Sequence, residues 1–131
     1  MSMSKMSFKE TALVSFIVMQ VQIILKLIPK DSLCVIHSKR TANINKGKYS
    51  SWTEYWEDNI PDPIVPYNNI CPCCRRTIVE NDSNYFVVGH VEDSLTHKKY
   101  LLPLCNECNV KMKEWKFLAK KYRLHPVPTD L

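Results

Sequence analysis

The sequence predicts a small α+β domain, a single zinc-bound unit with added N-terminal helices, on three observations. Two Cys-x-x-Cys pairs, Cys71/Cys74 and Cys105/Cys108, bracket a stretch rich in strand-forming residues. Apolar side chains recur at helical spacing after the second pair. At 131 residues the chain has room for one domain of ordinary size, whose modest core a bound metal would supplement.

The cysteine spacing has a chemical meaning. A Cys-x-x-Cys turn places two sulfurs on one side of an ion, and two such turns close the tetrahedral sulfur cage of a structural zinc site. Thiols two residues apart are poorly placed for a strain-free bridge to each other, and Cys34 and Cys73 leave no tidy disulfide scheme. Cys73 is read as a non-ligand, because Cys71 and Cys74 already have the preferred spacing. Thiolates kept for a metal imply a reducing, intracellular compartment, cytoplasmic or nuclear. Eighteen Lys and Arg against 13 Asp and Glu give a formal charge of +5, compatible with a polyanionic partner but too small to demand one.

In chain order, residues 1–30 come first. The run Ala12 to Ile28 approaches membrane-span length but contains Ser15, Gln20, Gln22 and Lys26, and a span needs about 20 predominantly apolar residues. No small-x-small cleavage site follows it, so it does not read as a signal peptide. A soluble, largely buried helix over one face of the domain is expected, without a membrane role, although its β-branched residues also permit a pair of strands. Pro29 ends the element. Leu33 to Ile36 is a short apolar run, and the basic, Asn-rich stretch from His37 to Lys48 reads as an exposed loop. Ser50 or Ser51 caps a helix, with Glu54 at capping-box distance, and Trp52 and Trp56 share one face suited to packing. Pro61, Pro63 and Pro66 make an extended connector. Residues 1–69 are thus expected to form a helical and aromatic extension packed on a core domain of residues 70–131.

Within that core, a turn at Asn81 to Asn84 precedes the strand Tyr85 to Val91, and a second turn precedes the strand Lys98 to Pro103. Pro103 is expected at an edge or an end. From Asn106 to about Tyr122 the spacing predicts a helix with Met112, Trp115, Leu118, Ala119 and Tyr122 on its apolar face. Lys113, Lys116 and Lys120 would then form a cationic stripe on the other side, suited to a nucleic-acid backbone. His37 and His125 read as surface residues.

Knuckle, hairpin and a second knuckle opening a helix resemble the treble-clef zinc fold, and within it the HNH, or ββα-metal, nuclease superfamily. The matching residues are Cys71-Pro72-Cys73-Cys74, Gly89-His90-Val91, Leu102-Pro103-Leu104-Cys105 and Cys108-Asn109. The resemblance implies an endonuclease that hydrolyses phosphodiester bonds of DNA or RNA. His90 would be the general base, Asn109 the ligand of a catalytic Mg²⁺ or Mn²⁺, and His97 or Tyr100 a supporting group. A histidine can be neutral near pH 7, and a cation offsets the charge developing on phosphate, as such chemistry requires.

The chain departs from the family pattern at three places. Gly89 stands where many members have an acidic metal ligand, Tyr100 where they often have Asn, and Asn109 where His is common. The alternative reading is a noncatalytic zinc module that binds nucleic acid or a protein partner through its basic residues and the Trp52/Trp56 region.

Overall fold

The computed structural model describes residues 7, 9–17, 28–38, 44–111 and 115–131. The chain forms two compact units, Met1–Lys30 and Asp31–Leu131. The division falls at Lys30 rather than at residue 69, because the first strand and the tryptophan helix both join the sheet that carries the cysteine pairs.

In the first unit, residues 9–17 form helix α1. A capping box opens it: the Glu10 N–H donates to Ser7 Oγ (3.1 Å), and the Ser7 N–H donates to Glu10 Oε2 (3.3 Å). Leu13, Val14, Phe16 and Ile17, from the Ala12–Ile28 run expected to be buried, are exposed. Residues 18–27 of that run lie outside the described residues. No helix among the described residues is long and apolar enough to cross a membrane.

The second unit is built on an antiparallel five-stranded sheet in the order β4-β1-β2-β3-β5. Its strands are β1 (Ser32–His37), β2 (Phe86–Asp93), β3 (Lys99–Cys105), β4 (Phe117–Lys120) and β5 (His125–Pro126). Two helices accompany it, α2 (Trp52–Asn59) and α3 (Asn106–Lys111), with a 3₁₀ turn at Lys121–Arg123.

The β2–β3 hairpin forms as expected, in register from Phe86↔Cys105 to Glu92↔Lys99. Asp93 closes its turn, accepting the Leu95 N–H at 2.8 Å. Pro103 sits inside β3 opposite Val88, whose N–H points the other way and donates to Thr53 Oγ1 of α2 (3.0 Å). This pair exchanges no ladder bond, so a residue without an N–H is accommodated.

The predicted helix from Asn106 to Tyr122 is not formed. Helix α3 is described over Asn106–Lys111, residues 112–114 lie outside the described residues, and Phe117–Lys120 pair with β1 from Ser32↔Lys120 to Val35↔Phe117. Phe117 and Ala119 are buried while Leu118 and Lys120 are exposed, a period of two rather than 3.6. The free edge of β1 supplies ladder partners, and the core accepts the Phe117 ring.

Packing on the two faces of the sheet differs. Helix α2 is capped by Ser51, whose Oγ accepts the Glu54 N–H at 3.1 Å, and its Trp52 and Trp56 pack with Val88 and Leu101. The paired tryptophans are core residues, as their spacing predicts. The larger cluster gathers Val35, Val91, Leu102, Leu104, Phe117 and the buried cysteines. Arg123 ties the proline-rich connector to this unit through the Pro63 and Ile64 carbonyls (2.6 and 2.8 Å).

Candidate metal centre

The first knuckle is a tight turn followed by a short return. The Arg75 N–H donates to the Cys71 carbonyl (2.8 Å), the Cys71 N–H to the Arg76 carbonyl (3.0 Å), and an antiparallel bridge joins Ile70 and Thr77. Strand β3 delivers Cys105 at its last residue, and the first turn of α3 delivers Cys108. Two segments distant in sequence thereby face each other with four sulfurs.

Cys71 and Cys108 Sγ are 3.9 Å apart, Cys74 and Cys105 Sγ 4.0 Å apart, and all four sulfurs lie within 4.8 Å of one another. A tetrahedral site with metal–sulfur bonds of about 2.3 Å has sulfur–sulfur edges of about 3.8 Å. The cluster therefore matches the cage of a four-thiolate metal ion such as zinc. Cys71, Cys105 and Cys108 are buried, Cys74 is half-buried, and all six cysteines of the chain are free thiols.

Electrostatics also fit a cation. Burial pushes the Cys71 thiol up to about 12 and raises Cys108 as well, so buried thiolates here require a compensating charge. Burial acts the same way at Cys74, but hydrogen bonds from the Arg76 side chain and main chain outweigh it and bring that thiol down to about 7. Arg76 Nε lies 3.4 Å from Cys74 Sγ, and its Nη2 is paired with Glu107 of α3 at 2.5 Å. The Cys105 N–H donates to Cys71 Sγ at 3.4 Å. Such donors orient thiolates and spread their charge. Cys73 is buried but stands outside the cage, where its sulfur accepts the Trp115 indole N–H at 3.3 Å.

Of the residues expected to carry catalysis, His90 lies on β2 and Asn109 on α3. A Cβ on Gly89 would lie 2.6 Å from Asn109 Oδ1, so the Asn109 side chain covers the α3 side of β2. Neighbouring strand residues point to opposite faces, which sends His90 to the other side. There it stands beside Leu101, which packs against the tryptophans of α2. Burial lowers the His90 pKa, and the Lys46 and Lys99 charges act in the same direction, so the ring is neutral at neutral pH. Tyr100 pairs with Val91 and shares its face, away from His90. His97 is exposed in the hairpin turn, its Nδ1 3.6 Å from Glu92 Oε1.

The lysine stripe dissolves with the helix that would have carried it. Lys113 lies outside the described residues, Lys116 is exposed ahead of β4, and Lys120 on β4 is paired with Asp31 at 3.0 Å. His37 and His125 are not surface residues. His37 is 8% exposed on β1, and His125 is half-buried with its ring against Trp56 at 4.8 Å between centroids.

Sequence reasoning missed the Arg76–Glu107 link between the two knuckles. Its only signal is an arginine two residues after a ligand cysteine and a glutamate between the later pair. No family model, curated protein or solved structure matches the chain.

Proposed function

We propose that residues 31–131 are a zinc-stabilised module of treble-clef type that binds nucleic acid without cleaving it. Cys71, Cys74, Cys105 and Cys108 hold the structural zinc, which fastens the knuckle to the β2–β3 hairpin and the start of α3. Thiolate ligation suits a reducing, intracellular setting. Residues 31–131 carry 14 Lys and Arg against 12 Asp and Glu, a formal charge of +2, so a polyanionic partner would be met by local basic clusters rather than by net charge.

One observation favours this reading over an HNH-type hydrolase: the Asn109 side chain lies against Gly89, the position where many family members carry a carboxylate, so Asn109 has no acidic partner there to share a cation. Phosphodiester hydrolysis needs base and cation to converge on one phosphate, with the base in hydrogen-bond reach of the attacking water. With no carboxylate at position 89, the cation half of that requirement would rest on the Asn109 oxygen alone. Asn109 instead fills the space above Gly89, and a catalytic Mg²⁺ or Mn²⁺ has no role in this scheme.

The full chain, purified with zinc, should hold one zinc per molecule and bind DNA or RNA with an affinity that falls as salt rises. Incubated with plasmid DNA or RNA and either Mg²⁺ or Mn²⁺, it should leave the substrate intact. Nicking that disappears in His90→Ala would overturn the noncatalytic assignment in favour of the nuclease, and absence of binding at low salt would overturn the nucleic-acid assignment.

A further inference from the structure

The first knuckle contains a conformational cost that the metal site does not need. Arg75 has φ 64°, in the left-handed region where a Cβ is unfavourable and glycine is not. The bond that closes the knuckle there is a main-chain one, from the Arg75 N–H to the Cys71 carbonyl, and glycine would make it equally well. The exposed Arg75 side chain has no hydrogen bond or ion pair among the described residues. Its neighbour Arg76 differs, being engaged by Cys74 and Glu107. The fold therefore gains nothing from the Arg75 guanidinium while bearing its strain.

A second feature adjoins it. The Trp115 indole N–H donates to Cys73 Sγ, two residues before Arg75, which pins the ring to the same knuckle while leaving the residue 46% exposed. An exposed indole is an unfavourable surface unless something covers it, and one fixed by its N–H is pre-oriented to be covered. Lys116 follows Trp115 directly, Lys111 ends α3 four residues before it, and both are exposed. Neither lysine has an ion pair among the described residues.

We infer that Trp115 and Arg75, flanked by Lys111 and Lys116, form a binding site for single-stranded nucleic acid. An unpaired base stacks on the indole, and adjacent phosphates meet the guanidinium and ammonium groups. Stacking on an aromatic platform beside cations is the common chemistry of single-strand binding, and a duplex, whose bases are already stacked on each other, cannot use the indole. This site rests on the proposal that the module binds nucleic acid, and it names the surface and the form of the ligand.

Arg75→Gly separates the site from the fold, because stability and binding should move in opposite directions. The zinc-loaded full chain carrying this change should keep one zinc per molecule and melt at a higher temperature than the parent. In fluorescence anisotropy with a labelled single-stranded oligonucleotide, it should bind several-fold more weakly. Its salt slope should be smaller by about 0.7, the decrement expected when one fewer phosphate is neutralised on a single strand. Trp115→Ala should weaken the same complex by about 5- to 150-fold, the range measured for removing one stacking platform. Trp115→Phe and Arg75→Lys should each retain much of the affinity. The parent should prefer the single strand to the same sequence as a duplex.

A parent that binds single strands while Arg75→Gly and Trp115→Ala bind equally well would overturn this site and leave the nucleic-acid reading standing. Binding of duplex alone would do the same. A parent that binds neither form at low salt would overturn both.

Discussion

At Gly89 the missing side chain is a packing requirement. A Cβ there would meet Asn109 Oδ1 at 2.6 Å and Leu104 Cδ2 at 2.8 Å, so Gly89→Ala forces the Asn109 and Leu104 side chains out of their places. The expected loss is about 1–3 kcal/mol in chemical denaturation of the metal-loaded chain, the usual range for overpacking. Adding Asn109→Ala should recover part of it, since one of the two obstructing groups is then gone. The sequence marks Gly89 only as a lost acidic ligand, because a motif compares residue types and cannot register which face of a strand a neighbour will cover.

His37 offers a second test at this scale. It is buried, its Nε2 has no hydrogen-bond partner among the described residues, and burial, followed by the nearby His90, lowers its pKa. Above the ordinary value of 6.5 the folded and unfolded states are both neutral at this site, and stability is fully present. As pH falls below 6.5 the unfolded chain takes up the proton first, so stability is lost until the folded-state pKa is passed. Melting temperatures between about pH 7.5 and 5.5 should therefore fall more steeply for the parent than for His37→Phe. A parallel decline would assign the effect to other groups. Nothing near His37 in the sequence predicts burial, since a short apolar strand leading into a basic loop reads as ending before it.

Between elements, the contest at residues 115–122 shows how helix and strand signals overlap. Trp115, Leu118, Ala119 and Tyr122 fit a helical stripe, while Phe117 and Ala119 fit a strand, and a window this short satisfies both periods. Tertiary context decides it: β1 has an unpaired edge, and alternation sends Phe117 into the core next to His37, 6.0 Å between ring centroids. The two readings assign different buried residues, which mutation can tell apart. Phe117→Ala should cost about 3–5 kcal/mol, as for other buried aromatic truncations. Leu118→Ala, at an exposed strand position, should stay within about 0.5 kcal/mol. The helix would have required Leu118 to matter most. By contrast, the β2–β3 hairpin and α2 are legible because their local signals agree with their setting: a turn between two strand-forming runs, and a serine cap three residues ahead of Glu54.

At the scale of the molecule, the metal has to be weighed against the rest of the core. Structural zinc in small cysteine-rich units contributes an apparent binding free energy of about 10–16 kcal/mol, against a net stability of about 5–15 kcal/mol for an ordinary domain. The four ligands also sit within or against the larger core cluster, with Phe86, Leu102 and Leu104, so withdrawing the ion leaves buried thiols among apolar side chains. Chelation should therefore abolish the cooperative thermal transition of residues 31–131 rather than shift it by a few degrees, and zinc should restore it. The ligand set has its own check in cobalt substitution, where tetrahedral thiolate coordination gives intense visible absorption. Cys74→Ser should change that spectrum and weaken metal retention, whereas Cys73→Ser should leave both unchanged, since Cys73 is not one of the four sulfurs that gather into the cage. A spectrum altered equally by both substitutions would mean that the ion can exchange Cys74 for Cys73. The Arg76 guanidinium beside Cys74 argues against that exchange, because a cationic donor favours the thiolate more than the neutral indole N–H that Cys73 accepts.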